Sequence, residues 1–145
     1  TRTWRRTPME TVKGHEGKYQ QGDAARFTGR VWLSPGLSAP DGTGMAVVHF
    51  SAGARTHWHA HPGGQLLYGV SGRGWVRSRG GPGRVLVPGD IVSIPPGEWH
   101  YHGGGPESPM AHVSVNIGGP PEWGDPVTDQ EYAEGFWEPQ DLRRG

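Results

Sequence analysis

The chain has 145 residues with 26 glycines, 14 prolines and no cysteine, which excludes disulfides, thiolate metal ligands and a cysteine nucleophile. Its 14 basic residues balance its 14 acidic residues, so no net charge attracts nucleic acid or an anionic membrane. No apolar run approaches the roughly 20 residues of a membrane span, and no apolar segment follows the N-terminal arginines, so we expect a cytoplasmic protein.

Two regions are distinguished along the chain. Residues 1–24 show little hydrophobic periodicity, and we expect an N-terminal arm that adds an edge strand to a neighbouring subunit. Residues 25–145 form the main domain, which is long enough to bury its own core. Its short apolar segments alternate with turns rich in glycine and proline, a pattern typical of an all-β antiparallel sandwich or barrel.

Several strands follow in order within this domain. In residues 45–50, Val48 and Phe50 are expected to face the interior and His49 to face outward. Residues 110–117 alternate between a polar and an apolar face. We expect the apolar face to pack in the sandwich, while the polar face looks into a cavity or into solvent. The capping box at residues 128–131 predicts a short helix towards Phe136.

Histidines at every second position mark the segment GARTHWHAHPGGQ. On a strand, His57, His59 and His61 would project to one side, and two such imidazoles can converge on one metal ion. Further ligands must come from elsewhere in the chain. The candidates are Gln65, predicted to lie across a hairpin from His61, and the pair His100 and His102.

These motifs resemble those of the cupin superfamily. Gly53, His59, His61, Gln65 and Gly72 match the first cupin motif, in which a glutamate usually stands where this chain has Gln65. Four residues match the second motif: Gly89, Pro95, Gly97 and His100. The resemblance implies a double-stranded β-helix jelly roll with a short C-terminal helix, and a metal site formed by His59, His61, Gln65 and His100.

Such a ligand set contributes no negative charge. A bound divalent ion would keep its full charge to polarise a carbonyl or to acidify a water. We favour zinc, with manganese, nickel and iron as alternatives. His57 and His102 are alternatives to Gln65 as the fourth ligand.

Three further histidines are candidates for proton transfer. His57 and His102 lie one strand repeat from predicted ligands, and His112 is on the polar face of residues 110–117. An imidazole exchanges protons near neutral pH, and nearby metal charge would keep it neutral. A hydrogen-bonded structural role is the alternative for each of the three.

The arrangement of three histidines and one glutamine, with the sequences HPGGQ and GEWHYHG, resembles two groups of small single-domain cupins. One is the polyketide cyclases of actinomycete antibiotic pathways, of the resistomycin type, and the other is the bacterial hydroxynitrile lyases. We favour the cyclase, which implies aldol-type ring closure of a poly-β-keto substrate held on an acyl carrier protein or as a thioester. An oxygenase acting on a small aromatic substrate and a non-catalytic binding protein are the alternatives.

The resemblance also implies a homodimer, because cupins usually pair through the outer face of one sheet. Trp58, Trp99 and Tyr101 alternate with the predicted ligands and are expected to face outward. Exposed aromatic rings at these positions would form the dimer surface.

Overall fold

The computed structural model describes residues 8–134, and within them it contains fourteen short strands and one helix. The strands are β1 Gln20–Gln21, β2 Phe27–Thr28, β3 Val31–Leu33, β4 Leu37–Ser38, β5 Gly44–Phe50, β6 Arg55–Thr56, β7 His59–Ala60, β8 Gln65–Gly72, β9 Gly74–Ser78, β10 Gly83–Leu86, β11 Ile91–Ile94, β12 His100–Gly104, β13 Met110–Asn116 and β14 Glu122–Trp123. The helix α1 spans Asp129–Glu134.

The strands form two antiparallel sheets. The first sheet has the order β1-β3-β5-β13-β8-β11, with β4 beside β5. The second sheet has the order β10-β9-β12-β6-β2, and β7 pairs with both β12 and β14. This two-sheet architecture with a short C-terminal helix confirms the predicted all-β jelly roll.

The space between the two sheets, called the interior below, is filled partly by an apolar core. Both sheets contribute to it, and its buried members are Val31, Val48, Phe50, Ala54, Leu67, Val76, Leu86, Ile94 and Met110. Full burial of each large aliphatic or aromatic side chain contributes about 1.5–3 kcal/mol. The core therefore supplies the main driving force for packing the two sheets together. Val48 and Phe50 are part of this core, as the alternation in residues 45–50 predicts.

The polar face of β13 points into the interior. His112 lies opposite Val48 and Ser114 lies opposite Leu67, and directly opposed residues in an antiparallel pair share a face. Since Val48 and Leu67 are core residues, His112 and Ser114 are buried with them. The expectation that the apolar face of this segment packs inside was wrong for Val113, which is only half-buried on the outer side.

An aromatic cluster covers the outer face of the second sheet. Trp58 and Tyr101 are 3% and 0% exposed, because Val127 and Tyr132 of the C-terminal segment pack over them. The expectation that Trp58 and Tyr101 form an exposed dimer surface was therefore wrong. Trp99 is half-buried at the edge of the same cluster.

The buried side chain of Arg55 anchors this C-terminal segment. Its guanidinium donates hydrogen bonds to the carbonyl of Val127, the shorter at 2.8 Å, and to Asp129 Oδ1 at 2.8 Å, and it lies 4.6 Å from the Tyr132 ring. Helix α1 begins with the predicted capping box, in which the backbone amide of Glu131 donates to Thr128 Oγ1. The predicted continuation to Phe136 lies outside the described residues.

The N-terminal region contributes one short strand. Gln20 and Gln21 pair with Leu33 and Trp32 of the same chain, so β1 extends this chain's own first sheet at its edge. The boundary placed after residue 24 stays a prediction. Among residues 8–134, no helix has the length and apolar character needed to cross a membrane.

Candidate metal centre

Three buried histidines converge in the interior. His59 opens β7 and is the register partner of His100, which opens β12, and His61 directly follows β7. One ring nitrogen of each residue lies within 4.8 Å of the corresponding nitrogens of the other two. The alternating spacing of His59 and His61 thus brings them to one side, as predicted, and β12 places His100 against them.

Backbone carbonyls determine which nitrogen of two of these rings carries hydrogen. His59 Nδ1 lies 2.9 Å from the carbonyl of His57, and His100 Nδ1 lies 2.8 Å from the carbonyl of Glu98. A carbonyl only accepts, so each Nδ1 is the donor. In the neutral ring the Nε2 atom then carries a lone pair, which is the tautomer that a metal ligand requires.

His61 has no hydrogen-bond partner on either ring nitrogen, although the side chain is only 3% exposed. An unsatisfied buried polar group costs about 1–3 kcal/mol. A cation bound beside His59 and His100 would remove this cost. His61 is therefore the clearest sign in the chain's interior that a ligand belongs there.

Gln65 completes the arrangement from the opposite sheet. It is the first residue of β8, it is 3% exposed, and its Oε1 lies 2.8 Å from His100 Nε2. Both atoms carry lone pairs, so their contact is repulsive unless a proton or a cation lies against them. Metal bonds of about 2.0–2.2 Å place neighbouring donor atoms roughly 3 Å apart. Three buried histidines thus lie close enough to hold a metal ion, and Gln65 Oε1 lies beside one of them.

Burial keeps the three histidines neutral. It lowers the pKa of His61 to about 4, with the neighbouring His100 contributing further, and it lowers the pKa of His100 to about 4. The pKa of His59 falls well below its usual value, again mainly through burial and then through His100. Neutral imidazoles have lone pairs available for a metal at neutral pH.

A second pair of histidines lies beside the cluster. His112 Nε2 and His102 Nδ1 are 2.9 Å apart, and the His102 ring centroid is 5.1 Å from that of His59. Both rings are buried, and Phe50 packs against both of them. His102 Nε2 has no hydrogen-bond partner. Burial lowers the pKa of His112 to about 4 and holds that of His102 well below its usual value.

His57 is not brought together with the other predicted site residues. Strand pairing stops after Thr56 and resumes at His59, so the strand alternation used to predict its direction is interrupted. Among the described residues, its ring makes none of the contacts that join the rings of His59, His61, His100, His102 and His112. Burial lowers the pKa of His57, and the Ala25 backbone partly opposes this effect. Its catalytic role stays a prediction.

Two residues that contact the site were not predicted from the sequence. Trp123 stacks on His59, with ring centroids 4.8 Å apart, but it comes from a two-residue strand without any pattern of its own. Asn116 hydrogen-bonds to Gln65. Its place on the polar face of residues 110–117 was the available signal, but the partner could be identified only from the register of β13 with β8.

A cavity of about 210 Å³ lies at the edge where β10 and β11 leave the sandwich open, and Val76, Ser78, Arg84, Ile94 and Glu98 are among its lining residues. Ser78 is the register partner of His100 and Val76 that of His102. The cavity therefore lies beside the strand that carries these two histidines.

Fold and site together define a small all-β protein with a cluster of buried histidines between two sheets that could hold a metal ion. The chain belongs to the cupin family, and residues 46–116 match the family's cupin domain. Over 117 residues it is 41% identical to the (R)-mandelonitrile lyase of Granulicella tundricola. The alignment covers 77% of this chain and 89% of the lyase. The predicted resemblance to cupins is confirmed.

Solved structures of cupins also resemble this chain. A cupin-like protein of Thermotoga maritima is 40% identical, with a TM-score of 0.75 over 79% of this chain and 91% of that one. The polyketide cyclase RemF of Streptomyces resistomycificus has a TM-score of 0.62 over 86% of this chain and 91% of the cyclase, at 18% identity. At that identity the likeness to RemF shows a shared fold.

Proposed function

We propose that this protein is a metal-dependent lyase that breaks or forms a carbon–carbon bond at a hydroxyl-bearing carbon of a small substrate such as mandelonitrile. The observation that carries the proposal is the unpartnered Nε2 of His102 beside the cluster of His59, His61 and His100. This Nε2 is a proton acceptor in the tautomer in which His102 Nδ1 donates to His112 Nε2. A proton acceptor and a site for positive charge thus share one buried space. The 41% identity to a mandelonitrile lyase favours this reaction over the predicted cyclisation.

His59, His61, His100 and Gln65 would hold the metal ion. A bound divalent ion supplies positive charge that stabilises a substrate oxygen as it becomes an alkoxide or a carbonyl. Zinc is the ion that we propose for this set of nitrogen and oxygen ligands, with manganese, nickel and iron as alternatives.

The histidine pair provides the proton transfer. For a cyanohydrin, His102 Nε2 accepts the hydroxyl proton, and the electrons of the breaking carbon–carbon bond leave with cyanide. The same proton then passes to cyanide, which gives an aldehyde and hydrogen cyanide. His112, 2.9 Å from His102 Nδ1, orients the ring. The buried, mainly apolar surroundings exclude competing water.

A polyketide cyclase is the second candidate. Two adjacent histidines suit aldol ring closure, because one can remove a carbon-bound proton while the other supplies a proton to the new alkoxide. The partner would then be an acyl carrier protein that delivers a poly-β-keto chain.

Metal content and cyanohydrin cleavage test the proposal together. We expect a stoichiometric metal ion in the purified protein and its loss in His100→Ala. Release of benzaldehyde from mandelonitrile should proceed without oxygen. His102→Ala should keep the metal and lose activity by about 10²–10⁴-fold, the usual contribution of general base catalysis.

His49→Ala is the matched control, because it removes a half-buried histidine whose ring contacts Tyr19 and not the cluster. We expect it to keep both the metal and the activity. A protein that binds no metal under any preparation, or turnover that requires oxygen, would exclude the lyase mechanism. Full activity in His102→Ala would exclude the role of that residue.

A further inference from the structure

Two polar side chains hold the side-chain amide of Gln65. Gln65 Nε2 donates to Ser114 Oγ and to Asn116 Oδ1, each at 2.8 Å, and Ser114 Oγ donates to Asn116 Oδ1 at 2.7 Å. Gln65 and Ser114 are buried and Asn116 is partly buried. Both β13 residues lie on its inward face, beside the start of β8.

The hydrogen-bond network specifies which end of the amide faces His100. Ser114 has one hydroxyl hydrogen, which it donates to Asn116, so towards Gln65 its oxygen can only accept. Asn116 Oδ1 also accepts only. The NH₂ end of Gln65 therefore faces both partners, and its Oε1 is left to face His100 Nε2 at 2.8 Å.

A glutamate at position 65 would not fit these partners. Its second carboxylate oxygen would face Asn116 Oδ1, and two acceptors would then meet at hydrogen-bond distance. Relief would require Asn116 to turn its own NH₂ group inward and Ser114 to redirect its hydroxyl from Asn116 to the carboxylate, so both partners would have to change orientation. The surroundings are thus matched to a neutral amide ligand.

We propose that Ser114 and Asn116 are positioning residues that present Gln65 Oε1 to the metal ion and make glutamine the preferred ligand at this position. The inference rests on the metal-binding part of the proposed function. Asn116 carries the larger share, because its oxygen accepts from both Gln65 and Ser114. Without it, the amide is free to turn its NH₂ end towards His100 and to lose its metal-binding atom.

The affinity for Zn²⁺ alone, measured by competition with a chromophoric chelator, tests this inference without any substrate. Partners of metal ligands typically change affinity 10–100-fold. We expect Asn116→Leu to weaken zinc binding about 10-fold or more, and Ser114→Ala to weaken it less. Asn116→Asp keeps an acceptor at the same place and should bind zinc at least as tightly as the unaltered protein.

The Gln65→Ala background separates positioning from general damage. Asn116→Leu should weaken zinc binding in the unaltered protein but have almost no further effect in Gln65→Ala. An equal effect in both backgrounds, or no effect in either, would overturn the inference. If Gln65→Ala weakens binding while Asn116→Leu does not, only the inference fails. If the unaltered protein binds no zinc, the proposed metal site fails with it.

Discussion

Neutral imidazoles at close range are the main feature of the site at the scale of single residues. The ring centroids of His59, His61 and His100 are 4.3–5.9 Å apart. In the described part of the chain, none of the three forms a salt bridge with a carboxylate. A proton added to one ring would therefore be buried without a counter-ion, so proton binding opposes folding.

The metal-free protein should lose stability in acid. His61, His100 and His112 have folded-state pKa values of about 4, against a usual value of 6.5. Between these values the unfolded chain binds more protons than the folded one, so stability is complete above about pH 6.5 and falls until about pH 4. The slope approaches about 1.4 kcal/mol per pH unit for each histidine.

Urea unfolding of the metal-free protein at several pH values measures this slope. His100→Ala should reduce it, since one of the buried groups is removed. An unfolding free energy that does not change between pH 7 and pH 4.5 would show that burial does not lower the pKa values of these histidines.

The residue types of the site were largely accessible from sequence, whereas its contacts were not. The repeat of His59 and His61 and the second-motif position of His100 predicted three residues that the fold brings together. The direction of the His57 side chain could not be predicted in the same way. His57 lies between the two-residue strands β6 and β7, and where each of these strands stops depends on its pairing with β12. The stacking of Trp123 on His59 depends in turn on such a pairing.

At the scale of elements, two motif glycines allow the chain to turn around the ligand strands. Gly53 precedes β6 with φ of 77°, and Gly72 ends β8 with φ of 71°. Both are in the left-handed region, which disfavours any residue with a side chain. They differ in their surroundings. A Cβ atom on Gly72 would collide with the backbone carbonyl of Pro109, whereas one on Gly53 would meet nothing within 4 Å.

Alanine substitutions at these two glycines form a matched pair. Gly53→Ala should cost about 1–2 kcal/mol, the price of the left-handed backbone alone. Gly72→Ala should cost about 1–3 kcal/mol more, because the backbone of Pro109 must also move. Chemical unfolding at a fixed metal concentration gives both values. Equal losses would mean that the close approach between β8 and Pro109 adds no constraint.

Sequence alternation identified β13 as two-faced, but it did not decide which face is inside. Its apolar side has the more usual composition for a core, and this was the basis of the wrong expectation for Val113. The register decides instead, because His112 and Ser114 lie opposite core residues of β5 and β8. A buried polar face is stable here because His112 contacts His102 and Ser114 bonds to Gln65 and Asn116.

For the whole molecule, the outer face of the first sheet is the main apolar surface that we identify in the described part of the chain. It forms a shallow depression lined by Met45, Leu66, Tyr68, Ile91, Val113 and Val115. Met45 is 56% exposed and Ile91 is 71% exposed. Contiguous exposed apolar patches of this kind usually mark interaction sites. This patch replaces the aromatic residues of the second sheet as the candidate dimer surface.

We expect a homodimer that buries this patch, since a two-fold axis brings one apolar face against its copy. Ile91→Glu should convert the dimer to a monomer, because each copy would bury an unpaired carboxylate. Sedimentation velocity at micromolar concentration measures the change. Met9→Glu, at an exposed position that is not part of the patch, should leave the dimer intact. A monomeric unaltered protein would refute the prediction.

The four proposed ligands come from both sheets, since His59, His61 and His100 belong to the second sheet and its adjoining turn and Gln65 belongs to the first. A bound ion would therefore link the two sheets across the interior. Because it binds the folded chain only, it would add about 4 kcal/mol when the free ion is at a thousand times its dissociation constant. The free energy of unfolding would then depend on the local supply of metal as well as on the packing of the core.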